Sequence, residues 1–230
     1  MAKLATPRSK RKKRTRQLIR AEQVYRDRAI QWLAGVDEAG VGPLAGPVVA
    51  GAVMMPVDSK LDDVFDSKGI SEKKREALAI AIREQAVSFG IGIARPREID
   101  RVNIYQATLR AMRRAVSRLA PAPELVLVDA RRIPHIEMEQ EAHVKGDARF
   151  YQIACASILA KTTRDALMKR LDKRYPGYGF ADHKGYPTKE HREAIRELGP
   201  CGAHRKSFRW LPESKVDDQT LEMFPDLVKS

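Results

Sequence analysis

Cysteine is scarce: Cys155 and Cys201 are the two in 230 residues, and neither belongs to a CxxC. That excludes a disulfide framework and fits a reducing compartment, so a cytoplasmic location is expected. Long apolar runs are also missing. The longest, residues 44–55, is interrupted by Pro47 and by two glycines. It is too short and too broken to span a bilayer, and no membrane association is expected. No charged, apolar, small-residue signal pattern opens the chain. Acidic residues are absent from residues 1–20, which hold nine Lys or Arg. Such an arm, taken as residues 1–30, is expected to be disordered. A mitochondrial transit peptide is disfavoured because "KRKKR" is a charge block with no apolar face.

What is present is a body of globular composition and strong positive charge. Hydrophobic residues make up 43% of the chain, enough for a core at this length. Of the formal net charge of +13, the arm supplies +9 and residues 213–230 supply −3, which leaves +7 on the body. A basic body with a basic arm suggests a polyanionic partner, most simply nucleic acid, although the arm alone also reads as a solvated tail. The acidic end, residues 213–230, is expected to be mobile.

Strands alternate with helices along the body. Residues 33–37 and 48–55 read as strands, and Ser71 caps a helix reaching to about Val87. Residues 88–94 read as a third strand, and Asn103 opens a helix to about Leu119, stopped by "APAP". "ELVLVDA" at 124–130 is the strongest buried strand, and a weaker one is expected around 141–145. A long helix over 151–174 ends at "YPGYG", and Thr188 caps a last helix closed by Gly199 and Pro200. This order predicts one α/β domain over residues 31–212, with its site at one edge of the sheet.

Acids stand where strands end. Asp37 and Glu38 close the first strand, Asp129 closes the central one, and Asp147 lies in "VKGDAR" before the long helix. Any one of them alone reads better as a helix cap or an arginine partner, because an ionised carboxylate is costly to bury unpaired. Four converging on one side of a sheet repel one another unless a cation joins them. Hard oxygen donors of this kind select Mg²⁺ or Mn²⁺, and two such ions suit phosphodiester hydrolysis. In "GVDEAGVGPLAGPV", Gly40 and Gly42 leave bare backbone beside the acids. They read either as an ordinary tight turn or as a place where backbone reads a 2′-hydroxyl, the group that separates RNA from DNA.

The motifs "GVDEAGVGPLAGPVVAGAV", "DSKGIS", "EIDRVNIYQATLRAMRRAV", "LVLVDA", "VKGDAR", "ASILAKTTRD", "YGFADHKGYPTKEH" and "HRKSF" occur in order over about residues 33–208. Together they closely resemble the ribonuclease HII family, the bacterial type 2 ribonucleases H. The resemblance implies a ribonuclease H-like fold, a three-layer α/β arrangement of a mixed sheet flanked by helices with a helical C-terminal part. It implies an endonuclease that cuts the RNA strand of RNA–DNA hybrids and cuts 5′ of single ribonucleotides in duplex DNA, leaving 3′-hydroxyl and 5′-phosphate ends. Asp37, Glu38, Asp129 and Asp147 would be its catalytic and metal-binding carboxylates, holding two Mn²⁺ or Mg²⁺ ions. Gly40, Val41 and Gly42 would read the 2′-hydroxyl, and Tyr186 would stack on the following deoxyribose. Lys68, Lys161 and Arg164 would contact phosphates.

Three positions depart from the family pattern. Val41 stands where the family usually has Arg or Lys, Gly69 where Lys is common, and Ala130 where Gly is usual. A charge-assisted phosphate hydrogen bond is worth about 1.5–3 kcal/mol, so Val41 implies binding weaker by about tenfold.

Two weaker patterns remain. His183, His191, Cys201 and His204 fall within 22 residues but match no zinc spacing, and read better as loop and helix residues. The segment "TLEMF", from Thr220 to Phe224, is similar to the short sequence with which bacterial repair proteins bind the sliding clamp; it reads better as a turn packing on the domain. Nothing demands more than a monomer. A non-catalytic nucleic-acid-binding protein on the same fold is the alternative function, disfavoured because four acids would only repel nucleic acid.

Overall fold

The structure, a computed structural model, describes residues 7–64 and 69–210. Lys68, the segment from Thr220 to Phe224 and the acidic end lie outside the described residues. The described residues form two compact units, the first drawn from Met1–Ala39, Val49–Ile93 and Leu109–Thr162, the second from Gly40–Val48, Ala94–Thr108 and Thr163–Ser230.

The first unit is built on a five-stranded sheet: β1 (Leu33–Ala39), β2 (Val48–Met54), β3 (Ser88–Ala94), β4 (Leu125–Asp129) and β5 (Glu139–His143). Their order is β3-β2-β1-β4-β5. β1 runs antiparallel to β2 but parallel to β4, and β4 parallel to β5, so the sheet is mixed. Leu125 to Val128 are fully buried, as an aliphatic run at the middle of a covered sheet should be. β5 begins two residues before the expected span. Its sequence, Glu-Gln-Glu-Ala-His, has almost no apolar face to read, and its anchor is polar: Gln140 accepts from Ile133 N–H at 2.7 Å and donates to Ile133 C=O at 2.8 Å.

Seven helices are described: α1 (Pro7–Ala21), α2 (Gln23–Asp27), α3 (Glu72–Gln85), α4 (Pro96–Val116), α5 (Tyr151–Arg174), α6 (Phe180–His183) and α7 (Lys189–Leu198). α3 and α7 start at the expected caps, with Ser71 accepting from Lys74 N–H and Thr188 from His191 N–H. α4 starts earlier than expected, at Pro96. Asn103 interrupts it at φ +65° and caps its second segment by accepting from Gln106 N–H at 3.0 Å. α5 lies tight on the sheet because of two glycines. A Cβ at Gly35 would strike the backbone of Gln152 and Ile153, and one at Gly51 would come within 2.5 Å of Ala156 O.

The described part of the N-terminal arm, from residue 7 on, departs from the expectation of disorder. Residues 7–27 are helical but for Glu22, and the charge conceals a buried stripe of Thr15, Leu18, Glu22 and Tyr25 at intervals of three and four. Thr15 donates to Val64 O at 3.2 Å, and Leu18 joins a core with Val53, Met55 and Tyr151. Glu22 accepts from Gln152 N–H at 2.7 Å, capping the open first turn of α5. Tyr25 donates to Glu141 at 2.7 Å.

The second unit has its own core of Ala45, Met168, Tyr178, Phe180, Ala194 and Ala203, with Leu44, Ile195 and Trp210 beside them. Among the described residues, no helix is long and apolar enough to cross a membrane.

Candidate active site

Parallel pairing brings the acids of the first unit together. β1 and β4 are in register from Leu33 with Leu125 to Val36 with Val128, and the next residue on each strand is Asp37 and Asp129. Glu38 comes directly after Asp37. One carboxylate oxygen from each of Asp37, Glu38 and Asp129 lies within 4.8 Å of the others.

The three differ in environment. Asp37 is 6% exposed and lies under α5, where Ser157 hydrogen-bonds its carboxyl and Glu38 N–H donates to it at 2.7 Å. Burial, then the neighbouring charge of Glu38, push its pKa well above the ordinary carboxylate value; Asp129 adds to the rise. A cation among these carboxylates would favour the ionised form that burial and the neighbouring charges disfavour. Three hard oxygen donors facing one another make a site for a divalent ion, so the residues fit Mg²⁺ or Mn²⁺.

Asp129 is half-buried and accepts from Gly146 N–H at 2.6 Å. That bond ties the 3-10 turn Gly146–Ala148, and with it Asp147, to the end of β4. Asp147 stands on this adjoining turn, outside the set of three within 4.8 Å. Lys161 is half-buried on α5, one turn beyond Ser157 and on the same helix face.

The remaining expected residues belong to the second unit. Gly40 has φ +96°, and a Cβ there would strike the Arg164 side chain and come within 2.7 Å of Pro47 O. Gly42 is exposed, and a Cβ there would meet nothing within 4 Å. Arg164, expected at a phosphate, is instead 1% exposed. Its guanidinium donates to Pro47 O at 3.0 Å, Ala45 O at 3.2 Å and Lys184 O at 3.0 Å. It braces backbone, because three carbonyls in a buried pocket are strong acceptors for a planar cation. Tyr186 is 43% exposed, with the Arg164 guanidinium 5.9 Å from its ring centre.

Sequence reasoning missed Arg205, which is fully buried. It donates to the carbonyls of Gly40 at 2.5 Å, Val41 at 2.9 Å and Gly46 at 3.0 Å, fixing the Gly40–Val48 loop from within. Burial, with Arg164 nearby, pulls its pKa down to about 9. The motif "HRKSF" contained it, but the partners lie 159 to 165 residues away, beyond any local signal. Ser157 was missed for the same reason. His191, His204 and Cys201 do approach one another, but their polar atoms are engaged among themselves and with backbone.

A mixed five-stranded sheet with carboxylates at the ends of adjacent parallel strands, flanked by helices, is a ribonuclease H-like fold. A model of the Ribonuclease HII family matches residues 34–211. "Ribonuclease HII" of Anaeromyxobacter sp. (strain Fw109-5) is 51% identical over 201 residues, which is 87% of this chain and 64% of that protein's length. The chain belongs to the ribonuclease HII family, a family of metal-dependent ribonucleases. Two solved structures share the fold at a TM-score of 0.66 and 26% identity. Ribonuclease H2 from Pyrococcus horikoshii OT3 is matched over 77% of this chain and 94% of that one. Ribonuclease HII of Archaeoglobus fulgidus, solved in complex with PCNA, is matched over 82% of this chain and 99% of that one.

Proposed function

We propose that the protein is a metal-dependent endoribonuclease that hydrolyses the RNA strand of RNA–DNA hybrids and cuts 5′ of single ribonucleotides in duplex DNA. The observation that carries this reading is the gathering of Asp37, Glu38 and Asp129 within 4.8 Å at the sheet edge. These three, with Asp147, would hold two divalent ions. Bound there, the ions supply a nucleophilic water and neutralise charge that develops on the phosphate.

The chain's own residues divide the remaining work. Ser157 and Glu38 N–H orient the Asp37 carboxyl, and Gly146 N–H orients Asp129. The Gly40–Gly42 backbone offers donors and acceptors to a 2′-hydroxyl, since a hydroxyl plays both roles. Its support is a loop pinned by Arg205 and Arg164, so its polar groups are preorganised rather than ordered on binding. Tyr186 presents an exposed ring on an anchored backbone, suited to stacking on the sugar 3′ of the ribonucleotide. Lys161, and Lys68 outside the described residues, are assigned to phosphates.

Cleavage of a labelled DNA duplex with one ribonucleotide, with Mn²⁺ or Mg²⁺ and with neither, tests this reading. A metal-dependent cut 5′ of the ribonucleotide, with 3′-hydroxyl and 5′-phosphate ends, is expected. A cut on the 3′ side, or equal cutting of an all-DNA duplex, would overturn it. A sliding-clamp contact through the segment from Thr220 to Phe224 is a further part of the reading, supported by the archaeal relative's complex with PCNA. Deleting residues 219–230 should abolish binding to purified bacterial clamp; unchanged binding rejects that part alone.

A further inference from the structure

In the second unit, the backbone that carries Tyr186 is held from several sides. Lys184 O accepts from Arg164, Gly185 O from Leu44 N–H at 2.8 Å, and Tyr186 N–H donates to His183 O at 3.0 Å. Tyr186 O accepts from Thr188 N–H at 2.8 Å and lies 2.9 Å from His191 Nδ1. A carbonyl only accepts, so His191 Nδ1 carries the proton and Nε2 is an acceptor. Nε2 faces His204 Nε2 at 3.1 Å, which must therefore be the donor. His204 Nδ1 is then bare, as it has to be to accept from Cys201 N–H at 3.0 Å. With Nδ1 bare, its 3.3 Å approach to Cys201 O is a contact between two acceptors rather than a hydrogen bond, and the assignment requires both rings to be neutral.

Burial supplies that neutrality. His191 is 0% and His204 3% exposed, and burial pulls their pKa values down to about 4 and about 3. His183 stacks on His191 at 4.3 Å, and Tyr178, Phe180 and Trp210 pack around His204. Beyond His204 the chain joins the other reading element. Ala45 bridges His204, Gly46 N–H donates to Ala203 O at 2.8 Å, and Arg205 N–H donates to Leu44 O at 2.9 Å.

We propose that the His191–His204 pair is a positioning device that fixes Tyr186 relative to the Gly40–Val48 loop, and so sets discrimination of a ribonucleotide–deoxyribonucleotide junction from uniform hybrid. It rests on the roles proposed above for Tyr186 and that loop.

The test is the ratio of kcat/KM on a duplex with one ribonucleotide to kcat/KM on a uniform RNA–DNA hybrid. His191→Asn keeps a donor for Tyr186 O, and His204→Asn keeps an acceptor for Cys201 N–H; of these hydrogen bonds, each loses the one between the rings, together with the ring's aromatic packing. Each should lower the ratio about fivefold, the worth of one neutral hydrogen bond, through KM of the junction substrate with kcat retained. The double variant should be no worse than either single one, and neither should lower the ratio further in a Tyr186→Ala background. His191→Gln, which keeps the ring-to-ring bond and drops the one to Tyr186, should show the same fall and serves if an Asn variant does not fold. An unchanged ratio with a lowered Tm would overturn the proposal and leave the pair a packing feature. If Tyr186→Ala itself leaves the ratio unchanged, the junction reading fails and the proposal with it; if only Tyr186→Ala lowers it, the proposal alone fails.

Discussion

At the scale of single residues, three positions that follow the carboxylates closely in sequence show how backbone geometry constrains residue choice. Ala130 succeeds Asp129 at φ +62°, a region where a Cβ is strained and glycine is not. The glycine that the resemblance implies at this position would carry no such strain. Ala130→Gly is therefore expected to stabilise the protein by about 1 kcal/mol, seen as a Tm higher by about 2–4 °C. An unchanged or lower Tm would show the strain is relieved elsewhere. Gly40 and Gly42 look alike in sequence and are not alike in structure. Gly40→Ala combines φ +96° with a clash against Arg164, so it should cost about 1–3 kcal/mol and weaken substrate binding. Gly42→Ala meets open space and should leave Tm unchanged while raising KM, if substrate approaches that backbone. Thermal melts and steady-state kinetics on the pair separate a fold role from a recognition role.

At the scale of elements, what was legible depended on whether the cause was local. Ser71, Asn103 and Thr188 cap helices as expected, because a cap is a bond between neighbours in sequence. Asp37, Glu38 and Asp129 were legible because an ionised acid at the end of an apolar strand is costly to bury unless a cation or donor meets it. The roles of Arg164 and Arg205 were not, since their acceptors lie far away along the chain and an arginine gives no sign of which carbonyls it will meet. α1 was hidden differently. Its dense positive charge masked an anchoring stripe that continues into α2. Leu18, 2% exposed in the first unit's core, makes the point testable: Leu18→Ala should cost about 2–4 kcal/mol in denaturant unfolding. A loss below about 0.5 kcal/mol, typical of surface positions, would return the arm to the status of a tail.

At the scale of the whole molecule, buried ionisable groups set how stability depends on pH. His191 and His204 titrate at about 4 and about 3 when folded, against 6.5 ordinarily. The unfolded chain takes up those protons first, so their contribution is complete above about pH 6.5 and is lost as pH falls from there. Glu22 acts oppositely. Burial raises it to about 7 from 4.5, so its contribution is complete below 4.5 and is lost as pH rises through 7. Urea midpoints across about pH 4–8 should fall at both ends. His204→Asn should flatten the acid limb and Glu22→Gln the alkaline one; limbs that both variants leave unchanged would place the titrating groups elsewhere.

The central claim is that the carboxylate cluster at the ends of β1 and β4 is the centre of a metal-dependent ribonuclease. Its most direct test is the rate at which wild type and Asp129→Asn, matched for folded content, cleave an RNA–DNA hybrid in Mn²⁺. The account predicts cleavage by wild type and a loss of about a thousandfold or more in the variant. Equal rates in the two proteins, with the variant fully folded, would contradict it.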